Sequence, residues 1–451
     1  MKNYDIIVIG FGKAGKTLAV KAANLGKKVA VIEKSAQMYG GTCINVGCIP
    51  TKKLVNLSKE AKYVNNNVAG EYFTLSVEKK DKLISALRAK NFAMLDGNAN
   101  IDVINGTAKF IDKNSIEVSA ADGSKSTLTA QTIVINTGSV NEKPSFEVSS
   151  NLAYDSTGIL NLKTLPKHLV VVGGGYIGLE FASMFAEFGS KVTIVARSGL
   201  LKNEDDDVRD SVKTLLQTQG IEILEGCEVK NLKDSTLNFT QNGEAKSLDA
   251  DAFLLATGRV AASAELNLSA AGVQTDAKGN VLVNEFLQTA QPHIYAVGDV
   301  RGGELFTYTS LDDFRIVFDK LFGAGKRSTL NRSPHASTLF TETPLASIGL
   351  NEKRAAAQNL DFKVLKLPLA AVPGAKVVGN ETGFLKAIVD AKSGKILGAA
   401  FHCVYANELI NEIAIAMSLG AGADFFKNQI FTHPSICLLY TSDAADEEDS
   451  V

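Results

Sequence analysis

The feature that most constrains this chain is a pattern that occurs twice: an apolar run of strand length, a glycine-rich loop, and the start of a helix. Ile6-Ile7-Val8-Ile9 runs into Gly10-Phe11-Gly12-Lys13-Ala14-Gly15, and a second run, Val29-Ala30-Val31-Ile32, ends in Glu33. Continuous apolar runs of this length read as strands buried on both faces, the environment of a parallel sheet. In a GxGxxG loop the first glycine permits the tight turn, the second lets backbone approach a pyrophosphate, and the third allows helix to pack closely on strand. The phosphates then sit at the helix N-terminus. Glu33 stands where an acid accepts a ribose hydroxyl. The pattern returns where Leu169-Val170-Val171-Val172 runs into Gly173-Gly174-Gly175-Tyr176-Ile177-Gly178, followed by Val192-Thr193-Ile194-Val195 and then Ala196-Arg197. There the acid is missing, and Arg197 favours a 2′-phosphate, hence NADPH over NADH. Two such units predict an α/β chain with two Rossmann-like domains, one holding a flavin dinucleotide and one a nicotinamide dinucleotide.

Downstream of the first loop lies Gly40-Gly41-Thr42-Cys43-Ile44-Asn45-Val46-Gly47-Cys48-Ile49-Pro50-Thr51-Lys52. Cys43 and Cys48 can cycle between dithiol and disulfide beside whatever the loop holds. A thiolate is the competent nucleophile, and a helix N-terminus at Pro50 with Lys52 nearby would supply the positive potential that favours one. An inert structural disulfide fits poorly: the N-terminus enters the first strand at once, leaving no room for a signal peptide, and a cytoplasmic chain keeps such bonds rare. No second cysteine pair lies near enough for a zinc ribbon. Cys227 and Cys403 sit in apolar surroundings and read as core residues. His168, His293, His335 and His402 have no ligand spacing, so no metal site is expected. A formal charge of −2 points to neither nucleic acid nor an acidic membrane. No apolar run is long enough to span a bilayer.

Further motifs complete the set in order. Thr137-Gly138 and Thr257-Gly258-Arg259 come after each nucleotide unit, Gly298-Asp299 follows Ile294-Tyr295-Ala296-Val297, Phe340-Thr341-Glu342-Thr343-Pro344 opens the last quarter, and His433-Pro434 lies near the end. From about residue 4 to about 436 the chain resembles the class I pyridine nucleotide–disulfide oxidoreductases, which include glutathione reductase, lipoamide dehydrogenase and mercuric reductase. The resemblance implies FAD at Gly10, Gly12, Gly15, Glu33, Lys52, Thr137, Gly138, Gly298 and Asp299, with Asp299 holding the ribityl chain. It implies NAD(P)H at Gly173, Gly175, Tyr176, Gly178, Arg197 and Gly258. Cys48 would form the charge-transfer pair with oxidised flavin, and Cys43 would be the interchange thiol that attacks substrate. Lys52 would sit near flavin N5 and pair with Glu180, keeping a buried charge compensated. Tyr176 would cover the flavin's nicotinamide side. His433, reaching across a homodimer, would move protons to and from Cys43.

At 451 residues the chain should divide into several domains. The expected order is an FAD-binding domain at 1–145, an NAD(P)H-binding domain at 146–260, completion of the FAD domain at 261–332, and an α+β dimerisation domain at 333–451. A hairpin with Asp122-Gly123 as its turn, a linker near 141–157, a strand at 383–389 and an amphipathic helix at 407–417 are also expected. The tail departs from the family. Leu438 replaces the acid that orients the histidine, and Asp443-Ala444-Ala445-Asp446-Glu447-Glu448-Asp449 does not resemble the family's terminal helix, so residues from about 437 read as non-native.

The resemblance extends to a bacterial branch tied to reactive-chlorine resistance and reduction of hypothiocyanous acid. It is carried by Phe11-Gly12-Lys13-Ala14-Gly15-Lys16, Met38-Tyr39, Phe306-Thr307-Tyr308-Thr309-Ser310-Leu311-Asp312-Asp313 and Phe431-Thr432-His433-Pro434-Ser435. Cys43 attacking this small sulfur electrophile, with release of thiocyanate and closure of the disulfide by Cys48, is the expected reaction. Alternatives are a copper(II) or other metal-ion reductase, a glutathione reductase- or dihydrolipoyl dehydrogenase-type enzyme, and a non-catalytic flavin-binding subunit.

Overall fold

The computed structural model describes residues 2–64 and 68–437, so Leu438 and the acidic run 443–449 lie outside the described residues. The first apolar run forms the strand Lys2–Ile9, paired in parallel with Val29–Glu33 on one side and Lys125–Ile135 on the other. Both faces are covered: Ile7, Val8, Val31 and Val134 are fully buried, as strands of unbroken Val and Ile require. Strand Ile101–Asn105 extends one edge. A hairpin of Ser115–Ser119 with Lys125–Ile135 extends the other, turning at Gly123 with φ +82°. After the second nucleotide unit the chain returns, and Ile294–Ala296 pairs in parallel with Lys125–Ile135. That return delivers Gly298 and Asp299 to the carboxyl end of the first sheet, where ligands bind in such folds.

The second unit is a parallel sheet ordered 222–225, 191–196, 168–172, 252–255, 153–154. Its helix Tyr176–Phe188 is apolar on most sides because it is buried on most sides. One face lies on its own sheet; the other meets helices Cys48–Ala61 and Ala69–Asp96 in a shared core that includes Leu54, Phe73, Leu179 and Phe185. Phe73 and Phe188 meet edge to face at 5.2 Å. The stretch read as a linker, 141–157, is partly structured: Glu147–Ser149 and Ala153–Tyr154 each add a strand to a sheet of the second unit. These strands are too short for a period-2 pattern to show in the sequence. Ser139–Asn141 and Arg259–Ala261 pair antiparallel where the chain passes between the units.

From Ala336 an antiparallel sheet is ordered 336–339, 345–349, 396–402, 384–390, 362–368, backed by helix Ala406–Ser418. Large apolar side chains remain exposed on this module, among them Val377 at 73 %, Leu419 at 76 % and Ile430 at 99 %.

Asp312 and Asp313 anchor the region behind Gly298. Asp313 is fully buried; its Oδ2 accepts from Gly298 N at 2.7 Å and Arg301 Nε at 2.8 Å, while its Oδ1 accepts from Arg301 Nη2 at 3.1 Å. Arg332 pairs with both acids. A buried carboxylate with several charged donors is costly to break on one side, because the other charges stay behind. Asp313→Ala is expected to cost on the order of 3–5 kcal/mol, read as an earlier urea midpoint with a parallel loss of flavin retention.

Candidate active site

The glycine loop closes against two other segments. Gly10 adopts φ +100°, and a Cβ there would stand 2.5 Å from Asn136 O; a Cβ on Gly41, at φ +77°, would stand 2.7 Å from Gly12 Cα. Both positions therefore need glycine, for backbone conformation and for space. Glu33 ends its strand with Oε2 accepting from Phe11 N at 3.0 Å and Oε1 from Ser35 N at 3.1 Å, and burial pushes its carboxyl upward. At the other end of the cleft Asp299 accepts from Ser139 Oγ at 2.7 Å, and Arg259 donates to Ser139 and Asn141. Thr137 Oγ1 is buried with no partner among the described residues. The cleft, about 1140 Å³ and open to solvent, is lined by Gly12, Gly138, Gly298, Asp299, Cys43 and Cys48, among others.

Cys48 is the first residue of helix Cys48–Ala61, so the helix begins two residues before Pro50 and the redox residue itself lies in the first turn. Proline is merely tolerated there, where its missing N–H has no intrahelical partner. Cys43 lies in the short helix Thr42–Asn45, held by Asn45 Nδ2 donating to Gly41 O at 2.9 Å. Both cysteines are free thiols. Their acidities split. A hydrogen bond from Cys43 pulls Cys48 down to about 6 against burial, helped by Thr307 and Lys52. The same bond, with burial, pushes Cys43 upward. Cys48 is thus the resting thiolate, and Cys43 keeps its proton until a base removes it.

Lys52 Nζ lies 2.6 Å from Glu180 Oε2 and 2.8 Å from Oε1, and 4.8 Å from the Phe340 ring centroid. Glu180 Oε1 also accepts from Phe340 N at 3.1 Å. Burial pushes the Glu180 carboxyl up and Lys52 opposes it. Tyr176 begins the same helix as Glu180, one turn earlier, so both face the cleft. The Tyr176 hydroxyl donates to Glu204 Oε1 at 3.1 Å. Gly173, Gly175 and Gly178 form the second glycine turn, and a Cβ on Gly178 would stand 2.4 Å from Gly173 O. Gly258, at φ +144°, lies between the strands Ala252–Leu255 and Arg259–Ala261, and Arg197 is exposed just past the strand Lys191–Ala196. His433 is exposed and does not line the cleft within this chain.

Two residues of the site carried no chemical signal in the sequence. Thr307 Oγ1 lies 3.5 Å from Cys48 Sγ, placed there by the N-terminus of helix Thr307–Phe322. Lys16 is buried, with its ammonium on Asn91 Oδ1; burial and Lys13 pull it down to about 8, while Cys43 acts in the opposite sense. Both lie in stretches that carry the family resemblance, but neither occupies a position to which the glycine pattern or the cysteine spacing assigns a role.

This fold and dithiol cleft define a nucleotide-dependent thiol oxidoreductase, and the chain belongs to the pyridine nucleotide-disulphide oxidoreductases: that family's model matches residues 4–314 and its dimerisation domain matches 335–439. It is a FAD-dependent flavoprotein disulfide reductase on the branch of RclA, the probable pyridine nucleotide-disulfide oxidoreductase of Escherichia coli K12, with which it is 44 % identical over 439 residues, 97 % of each chain. A mercuric reductase of Lysinibacillus sphaericus is 36 % identical over 93 % of this chain and 78 % of its own. A dihydrolipoyl dehydrogenase of Geobacillus stearothermophilus is 32 % identical over 96 % of this chain and 93 % of its own. The Cu(II) complex of the HOCl-induced flavoprotein disulfide reductase RclA from Escherichia coli superimposes with a TM-score of 0.92 at 42 % identity, over 100 % of both chains. The residues fit FAD: the open cleft is lined by Gly12, Asn136, Gly138, Gly298 and Asp299, and between two of them Thr137 Oγ1 is a buried hydroxyl with no partner among the described residues.

In the dithiothreitol-reduced protein, iodoacetamide should alkylate the thiolate with a rate that rises through a midpoint near pH 6, about the value to which Cys48 is pulled. Thr307→Val removes a group that lowers that value, so the midpoint moves up. Peptide mapping of the labelled cysteine checks which thiol reacts.

Proposed function

We propose that the protein passes a hydride equivalent from NADPH through FAD to the Cys43–Cys48 disulfide, and that the resulting dithiol reduces hypothiocyanous acid to thiocyanate. The observation that carries this reading is the pair of thiols of opposite acidity in an open cleft beside the Lys52–Glu180 ion pair. The similarity to an HOCl-induced reductase favours a small reactive-chlorine-related oxidant over a peptide disulfide.

FAD held by the Gly10 loop, Glu33, Thr137, Gly138 and Asp299 would supply the hydride relay between nicotinamide and disulfide. Gly173, Gly175, Gly178, Arg197 and Gly258 would seat the nicotinamide dinucleotide, with Arg197 on a 2′-phosphate. Tyr176 shields the cleft until the nicotinamide enters. Lys52, held in an ion pair with Glu180, keeps a positive charge beside the Cys48 thiolate. His433 of the partner subunit removes the Cys43 proton. The Cys43 thiolate attacks the sulfur of hypothiocyanous acid and displaces hydroxide, which leaves as water with one proton. The Cys48 thiolate then attacks Cys43 sulfur, displaces thiocyanate and closes the disulfide. Two thiol electrons are lost and the oxidant gains two.

The regions 1–145 and 261–332 would hold FAD, 146–260 the nicotinamide dinucleotide, and 333–451 the dimer contact. The exposed apolar side chains of the last module support a homodimer. A cytoplasmic setting suits a reductase fed by NADPH. A second reading, reduction of copper(II), is favoured by the similarity to a copper-bound relative.

Consumption of NADPH and NADH by the FAD-loaded protein with hypothiocyanous acid, oxidised glutathione, lipoamide and copper(II) tests these readings. NADPH turnover with hypothiocyanous acid should dominate, and Cys43→Ser should lower it by at least about a thousandfold. Turnover with copper(II) alone would favour the second reading instead. Leu419→Glu should shift the protein to monomer in analytical ultracentrifugation, and oxidant turnover should fall with it while FAD content holds.

A further inference from the structure

Tyr176 lines the cleft, but its hydroxyl is bonded to a residue that does not. It donates to Glu204 Oε1 at 3.1 Å and lies 3.4 Å from Ser337 Oγ. Glu204 is a buried carboxylate, 7 % exposed, with no ion pair among the described residues. Its second oxygen, Oε2, is buried without a partner, as is Ser347 Oγ; both residues line a small cavity with Arg354 and Lys386. Burying a carboxylate in this way is unfavourable, so the position asks for a reason beyond packing.

The backbone around Glu204 is immobilised from the C-terminal module. Asn351 Nδ2 donates to Asn203 O at 2.8 Å, and Lys353 Nζ donates to Glu204 O at 3.1 Å. Asp205 accepts from Glu352 N, Lys353 N and Lys386 Nζ at 3.0, 3.1 and 2.8 Å. Glu204 is therefore a fixed acceptor presented to a mobile type of side chain. A tyrosine has only two side-chain torsions, so one hydrogen bond at its tip selects its rotamer.

We propose that Glu204 is a positioning residue that latches Tyr176 in the closed, cleft-shielding rotamer, so that nicotinamide entry requires breaking the Tyr176–Glu204 hydrogen bond. The inference rests on the shielding role given to Tyr176 above, and not on the identity of the oxidant. A latch lowers the population of the open form and so weakens apparent affinity for the nicotinamide dinucleotide. Loss of that one hydrogen bond, at the net value typical of a single intramolecular bond, should tighten that affinity by about three- to tenfold.

The test uses the FAD-loaded protein, NADP⁺ as probe and no oxidant, with calorimetric binding and flavin fluorescence as readouts. Glu204→Ala and Tyr176→Phe should each tighten NADP⁺ binding by about three- to tenfold and raise flavin fluorescence. The double variant should match either single variant, because the two remove one interaction. Glu204→Gln, which keeps a carbonyl acceptor, should stay near the parent protein. Tyr176→Phe leaves Glu204 in place and so reads the same bond if Glu204→Ala fails to fold. Additive effects, or an unchanged Tyr176→Phe, would overturn the latch while leaving the shield. A Tyr176→Ala protein with unchanged affinity and fluorescence would overturn both, and none of these outcomes bears on hypothiocyanous acid.

Discussion

The ion pair between Lys52 and Glu180 fixes, at the cleft, parts of the chain that elsewhere meet mainly through apolar packing. Lys52 belongs to the cysteine helix, Glu180 to the first helix of the second nucleotide unit, and Phe340 N, which also donates to Glu180, to the start of the last module. The Glu180 side chain is 6 % exposed, so its charge is tolerable only while these donors are in place. Apolar packing alone would let the helices Cys48–Ala61 and Tyr176–Phe188 slide along one another, since a hydrophobic contact has no direction. The carboxylate has direction, and it holds Tyr176 and Cys48 to the same cleft.

Charge in the cleft is arranged so that one thiol ionises at the expense of the other. Cys48 takes the helix N-terminus, Thr307 and the field of Lys52, while Cys43 supplies the hydrogen bond that makes the neighbouring thiolate stable. The thiol that must meet substrate is then the less acidic of the two. Nucleophilicity rises with basicity, so a thiol of higher pKa is the stronger attacker once deprotonated. Lys16, buried on a neutral amide partner, lies on the Cys43 side and adds positive potential there.

The nucleotide units were legible in the sequence because their determinants are local. A buried parallel strand needs an unbroken apolar run, and the turn after it needs glycines at fixed offsets; both survive as spacing, at Gly10 as at Gly173. The antiparallel helix–sheet module was readable for the same reason, through the strand Phe384–Asp390 and helix Ala406–Ser418. Thr307, Lys16 and Glu204 were not legible as site residues. Each acts on a partner far along the chain: Thr307 on Cys48, Lys16 on Asn91, Glu204 on Tyr176. No periodicity records such a meeting, because it is set by how the sheets dock. The strands at 147–149 and 153–154 escaped for a related reason, since edge strands of two or three residues owe their form to the sheet they join.

The last module is more than a surface for a second copy. Phe340 N is a donor to Glu180, Thr338 lines the cleft and Ser337 lies beside the Tyr176 hydroxyl. Lys386, buried at the centre of the same module, pairs with Asp205 and Asp207 of the second unit and with Glu352 of its own. Lys366 of the same module also pairs with Asp207, so two ammonium groups meet three carboxylates at this contact, and separating the two sides would leave the Lys386 charge buried without its partners. The module therefore sets the position of the loop 203–207, that loop sets Glu204, and Glu204 meets the tyrosine at the cleft. Asn351 Nδ2 on Asn203 O, with Glu352 N and Lys353 N on the Asp205 carboxylate, ties that loop directly to the module.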